Sequence, residues 1–132
     1  MSTFLNVLLA VVGGFFVLNL VLQVVVRARA ARLKGQPLPS LPGALGQRIA
    51  QSERALVYFF TPTCAACRAV TPRMKALADA GKSVFPIDAS QDLEMAQVLS
   101  VMATPTTVEV EHGKVVGVHI GAVAPAVWER FA

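Results

Sequence analysis

The chain holds two cysteines, Cys64 and Cys67, and both lie in the stretch "LVYFFTPTCAACRAVTP", Leu56 to Pro72. Two thiols three positions apart can exchange electrons as a dithiol–disulfide pair, supply half of a metal site, or pack as small apolar residues in a core. A structural zinc site takes four ligands, commonly two Cys pairs or a Cys pair with a closely spaced His pair. No third cysteine exists, and six residues separate His112 from His119, against a usual spacing of about three to five. Solvated positions on a hairpin account for both histidines.

Redox exchange explains more of the stretch. An apolar run ends, a Thr-Pro-Thr loop follows, and Cys64 is expected to open a helix that runs to Ala80. A sulfur at a helix start faces unpaired backbone N–H groups and the positive helix end. Both favour the thiolate, the species that attacks a disulfide. Cys67, one turn later, is placed to resolve the mixed disulfide that Cys64 forms. Arg68 either adds positive charge beside the pair or is a solvated helix residue. Two cysteines serving only as core would not need to fall at a strand-to-helix junction.

The elements that must position this pair alternate. "ALVYFF" from Ala55 is a continuous apolar run, as in a strand buried on both faces. The helix from Cys64 carries Cys67, Val70, Met74 and Leu77 on one stripe, and Gly81 supplies its stop. "SVFPID" reads as a second strand and Leu93 to Val101 as a helix. "TTVEVEHGKVVGVHI" reads as two strands around a turn at His112-Gly113, and Pro125 opens a closing helix. A short helix over Ala44 to Glu53 precedes them all, giving the order α-β-α-β-α-β-β-α.

Ahead of this lies a segment of another kind. Phe4 to Val26 has 23 residues and no charge. As a helix it is about 34 Å long, enough for a hydrocarbon core of roughly 30 Å. Nothing basic precedes the run, and it exceeds the apolar length of a cleaved signal peptide, so a retained anchor is expected. Gly13-Gly14 and Asn19 are the kinds of residue that let such a helix dock on another in a membrane; Asn6 and Gln23 suit its ends. The sequence divides into a tail at 1–3, a transmembrane helix at 4–26, a basic collar and Pro-rich linker at 27–43, and a domain at 44–132. "GQPLPSLPG", Gly35 to Gly43, reads as a stiff spacer.

Charge follows the same division. Residues 27–54 carry six basic side chains against Glu53, whereas residues 55–132 carry six basic and seven acidic ones. The basic excess is therefore a collar beside the apolar run and not a face of the domain, which argues against nucleic-acid binding. Arg27, Arg29, Arg32 and Lys34 all follow the span. Positive flanks stay in the cytoplasm, so the N-terminus is expected outside and the domain in the cytoplasm; an extracytoplasmic domain is the alternative.

Residues 44–132 resemble the thioredoxin family. "YFFTPTCAACRAVTP" resembles the family's strand, active-site loop and helix, with its C-x-x-C at Cys64 and Cys67 and its helix-kinking proline at Pro72. "ATPT", Ala103 to Thr106, resembles the motif whose proline is cis, and "IGA", Ile120 to Ala122, resembles the glycine loop before the last helix. The resemblance implies an α/β thioredoxin-like fold, a mixed sheet flanked by helices. It implies a redox-active disulfide at Cys64 and Cys67, substrate contacts at Thr63, Thr104 and Pro105, and chemistry that uses no cofactor and no metal. It also exposes departures. The family's first strand is missing or reduced to a few linker residues. Tyr58 stands at the buried aspartate, Val84 at its lysine partner, Thr63 at the tryptophan before the first cysteine, and Ala65-Ala66 at the Gly-Pro dipeptide. Proton transfer at Cys67 must then use water or another group.

Two functions fit. One is a membrane-anchored thiol–disulfide oxidoreductase acting as a reductant on a protein partner, which the anchor could bring to it as an integral membrane protein or membrane complex. The other is an accessory thioredoxin-like interaction subunit with little redox turnover. The topology is testable first. In intact cells, after reduction, a membrane-impermeant maleimide should leave Cys64 unlabelled until the membrane is opened. Labelling without opening would place the domain outside.

Overall fold

Ala55 to Phe59 have no exposed surface at all, and the rest of the domain is arranged around them. The structure, a computed structural model, describes residues 1–132. The elements are α1 (Ser2–Leu33), α2 (Gly43–Gln51), β1 (Arg54–Phe60), α3 (Thr71–Asp79), β2 (Val84–Asp88), α4 (Leu93–Val98), β3 (Thr106–Glu111), β4 (Lys114–Ile120) and α5 (Pro125–Glu129). One four-stranded mixed sheet has the order β2-β1-β3-β4. β1 pairs parallel with β2 and antiparallel with β3, and β3 pairs antiparallel with β4.

Alternation along β1 divides the core between the sheet faces. Ala55, Val57 and Phe59 join Val108, Val110 and Val115 under Ile49 of α2 and Met95 of α4. Leu56 and Tyr58 join Val84, Met74 of α3 and Phe131 beyond α5. The result is helices on both faces of a sheet, the thioredoxin-like architecture expected from the sequence. The β3–β4 turn is closed by His112 at φ 49° and Gly113 at φ 72°, both positive as a tight hairpin turn that follows strand twist requires.

Three features differ from the expectation. The helix expected from Cys64 forms only from Thr71; residues 65–70 are turns, with Cys67 N–H donating to the Cys64 carbonyl and Arg68 N–H to that of Ala65. Pro72 explains the break. Inside a helix from 64 to 80 it would remove a hydrogen bond and clash with the preceding turn. In the first turn of a new helix its missing N–H costs nothing. At the other end, Gly81 N–H donates to the Ala78 carbonyl and Lys82 N–H to that of Leu77, a glycine stop as expected.

The N-terminal helix also runs past its apolar segment. α1 is unbroken to Leu33, and Ala30 is buried. Phe4, Phe15 and Phe16 in its apolar part are all exposed. It is long and apolar enough to cross a membrane. Asn19 donates its amide to the Phe15 carbonyl at 3.1 Å, so that donor is satisfied within α1.

Third, the Pro-rich segment is not a free spacer. Gly35 N–H donates to the Val115 carbonyl, Val115 N–H to Gln36, and Leu38 N–H to Gly113. Residues 35–38 thus cover the outer edge of β4. They do not replace a strand beside β2, whose outer edge is left with Pro86 in its middle. Proline is tolerated at an edge because no N–H is needed there, and it discourages pairing with another chain.

The turn into α2 relies on Gly46. A Cβ there would sit 2.6 Å from Leu41 Cβ and 2.7 Å from the Leu41 carbonyl. Gly to Ala inside a helix ordinarily stabilises by roughly 0.5–1 kcal/mol. Here backbone overlap should outweigh that gain, since overpacking costs about 1–3 kcal/mol. Gly46→Ala is expected to lower the midpoint of denaturant unfolding; a raised midpoint would show that Leu41 moves aside freely.

Candidate active site

The cysteine loop leaves the sheet where β1 ends at Phe60. Cys64 and Cys67 are joined as a disulfide with Cα atoms 5.3 Å apart. Their exposure differs: Cys64 is half-buried, Cys67 only 2% exposed. Cys67 N–H donates to Cys64 Sγ at 3.2 Å. That donor remains available to a Cys64 thiolate when the pair is reduced, because it belongs to the turn itself. Since α3 begins at Thr71, this local N–H replaces the α-helix start expected to stabilise the sulfur.

Beside the disulfide lies a cavity of about 400 Å³, lined by both cysteines with Thr61, Pro62, Arg68, Thr71, Pro72, Phe60 and Lys75. Two cations line it and no carboxylate does. Lys75 also lies over the Phe60 ring at 5.1 Å. The register Phe59↔Thr106 sets Pro105 beside Phe60. Thr104 and Pro105 are therefore at the sheet end that launches the cysteine loop. Their peptide bond is cis, Pro105 is buried, and its carbonyl accepts the Gly121 N–H at 2.8 Å. Thr63 is exposed on the loop. The cavity wall includes neither Thr104, Pro105 nor Thr63.

The sequence did not point to Thr71. Tyr58 is buried at the core of the face under the cysteines, and its hydroxyl lies 3.0 Å from Thr71 Oγ1. Burial pushes the Tyr58 hydroxyl pKa above its ordinary 10.0, partly offset by the Thr71 hydrogen bond. Position 58 thus holds a neutral, hydrogen-bonded phenol at any ordinary pH. The signal was available in principle: a buried tyrosine hydroxyl needs a partner, and Thr71 is a short polar side chain at the start of the facing helix.

His119 also departs from the sequence reading. It is not simply a solvated hairpin residue: its Nε2 pairs with Oε1 of Glu109, whose Oε2 accepts from Arg130 at 2.7 Å. Glu109 is 4% exposed. Gly117, opposite Glu109 on β4, leaves the room, since a Cβ there would be 2.8 Å from Glu109 Oε1. His112 sits in the hairpin turn at the far end of the same strands, so the two histidines do not converge.

Comparison with known proteins agrees with this geometry. A family model described as thioredoxin matches residues 42–130, more than half of the chain. Among solved structures, thioredoxin of Fasciola hepatica is 32% identical with a TM-score of 0.54, over 66% of this chain and 88% of that one. Thioredoxin of Schistosoma mansoni is 25% identical with a TM-score of 0.56, over 70% and 89%. Oxidised mitochondrial thioredoxin 3 of Saccharomyces cerevisiae is 25% identical with a TM-score of 0.53, over 64% and 82%. No curated protein matches the chain.

The Tyr58 hydroxyl gives a test of the buried pair. Tyr58→Phe should cost about 1 kcal/mol at neutral pH by stranding Thr71. Because the folded pKa is raised, the wild-type contribution is full below pH 10.0 and is lost as pH climbs through the folded value. The variant should therefore lose less stability than the wild type on the alkaline side, followed by urea unfolding at stepped pH. Parallel alkaline losses would mean that Tyr58 is not the titrating group.

Proposed function

The chain belongs to the thioredoxin family, and from that membership we propose that it is a membrane-anchored thiol–disulfide oxidoreductase that reduces a disulfide in a protein partner. The observation that carries this is the asymmetric pair: a half-buried Cys64 at the mouth of a cavity, disulfide-bonded to a buried Cys67. In the reduced protein the Cys64 thiolate attacks one sulfur of the partner's disulfide. That bond breaks, and the other partner sulfur leaves as a thiolate and takes a proton. Cys67, having lost its own proton, attacks Cys64 Sγ and releases the first partner sulfur. The partner gains two electrons and becomes a dithiol. The protein ends as the Cys64–Cys67 disulfide, and a thiol donor returns it to the reduced state.

Arg68 and Lys75 line the cavity and favour thiolates there. Thr63 on the loop and Thr104 beside Pro105 offer edges to an extended partner segment. A cytoplasmic domain fits the reducing direction, since that compartment keeps thiols reduced. The anchor supports a partner in the same membrane. α1 passes beside the Pro105 loop, with Asn19, Gln23 and Val26 sharing a cleft with Ala103 and Ile120.

One observation favours the accessory reading. No carboxylate lines the cavity, and Tyr58 holds its proton too firmly to act as a base. Cys67 must give its proton to water, which slows resolution. The full chain in detergent separates the two. Cys67→Ser should accumulate mixed disulfides through Cys64, Cys64→Ser should not, and only the wild type should reduce insulin. Equal trapping by both variants, or no reduction by the wild type, would leave the accessory role.

A further inference from the structure

The collar has two faces that the sequence does not distinguish. Arg27, Ala30, Ala31 and Lys34 fall at i, i+3, i+4 and i+7, one side of a helix. In the structure that side faces β4, and between them is an open cleft of about 390 Å³ whose far wall is Val118, His119, Ile120 and Ala122. The two alanines make the hollow and the two cations bracket it. Arg29 and Arg32 turn to a separate cleft with Gln36 and Pro37.

Charge in the hollow is unbalanced. No acidic residue lines it. The ion pairs of the chain are Arg54–Glu111, His119–Glu109 and Arg130–Glu109, so Arg27 and Lys34 are unpaired. Glu109 is already bracketed by two partners, His119 Nε2 and Arg130. Two exposed, unpaired cations beside a space of this size suit a phosphate ester.

The hollow does not end there. Arg27 and Ile120 also line a second cleft, of about 270 Å³, on the membrane side. Its other walls are Asn19, Leu22, Gln23 and Val26 of the uncharged run and Ala103. A cationic cleft and one of mixed apolar and amide lining thus share Arg27 and Ile120 at the point where the uncharged segment ends. α1 continues seven residues beyond Val26 to Leu33, about 10 Å, comparable to the headgroup layer of a leaflet. Free phosphate would fill only the cationic cleft.

The geometry points to a bound anionic phospholipid, its phosphate held by Arg27 and Lys34 and an acyl chain lying along Leu22, Val26 and Ile120, wedged between the anchor and β4. This rests on the reading of α1 as a membrane span. Ile120 adjoins Gly121, whose N–H holds the Pro105 carbonyl, so the lipid would seat the partner-binding loops against the membrane surface.

The test reconstitutes the full chain into phosphatidylcholine nanodiscs containing a few per cent of spin-labelled phosphatidylglycerol, and reads the motionally restricted fraction. Wild type should show a restricted component absent with spin-labelled phosphatidylcholine. R27Q/K34Q should weaken it roughly 10- to 30-fold. R29Q/R32Q removes the same charge from the other face and should keep it. Glycerol phosphate at millimolar concentration should not displace the probe. Equal loss in both double variants would reduce the effect to diffuse collar charge and overturn the site. Displacement by glycerol phosphate would overturn the lipid in favour of a soluble ester. A chain that enters nanodiscs yet restricts no probe defeats this inference alone. A chain that does not enter them defeats the membrane span, and this inference with it.

Discussion

Burial of β1 on both faces is the constraint on which the rest depends. Each large apolar side chain taken fully out of water contributes about 1.5–3 kcal/mol, and Leu56, Val57 and Phe59 are all fully buried. Because successive residues face opposite clusters, a one-residue slip would exchange every contact. The Tyr58 hydroxyl would leave Thr71 and enter a cluster built from Val, Ile, Met and Phe. A stranded hydroxyl there costs on the order of 1–3 kcal/mol. The register that avoids this also fixes where the chain leaves the sheet, and so where Cys64 stands relative to Pro105.

Edges impose the second constraint. A four-stranded sheet has two, and each is handled differently. Pro86 blanks the middle of the β2 edge without any covering strand. The β4 edge is covered by residues 35–38, which brings the end of α1 onto the sheet. The segment that would otherwise be a spacer becomes part of the domain, and the long apolar helix α1 is fixed to the strand that ends beside the Pro105 loop.

Much of this was legible in the sequence because the relevant signals are local. The run Ala55–Phe60 is continuous and apolar, His112-Gly113 is a hairpin turn, Gly81 stops a helix, and Phe4–Val26 has no charge. The cysteine pair was legible from residue type and spacing. What was not legible depends on residues distant in sequence. Thr71 matters only because Tyr58 lies beneath it, 13 positions away. Glu109 looks like the outward residue of an alternating strand, yet Arg130 and His119 close over it. The late start of α3 was legible in part: Pro72 was read as a kink, whereas it begins the helix. The docking of residues 35–38 could not be read, because proline and glycine content reports conformation and not what a segment packs against.

A pinned domain changes what its chemistry must achieve. Nine residues from Gly35 to Gly43, if free, would reach about 28 Å as an extended polyproline spacer. With residues 35–38 held on β4, that reach is largely gone; with α1 across a membrane, as proposed, the cysteines would sample only a narrow shell next to the bilayer. A soluble substrate gains nothing from this. For a disulfide held at the same depth in the same membrane, encounter becomes close to intramolecular, with effective concentrations on the order of millimolar. For such a partner, a high encounter frequency would offset slow proton transfer at Cys67, where Tyr58 supplies no base. On the proposed function, tyrosine in place of a carboxylate at position 58 and the docking of α1 on β4 are two sides of one arrangement: rapid general reduction would be given up where a dedicated partner is already within reach.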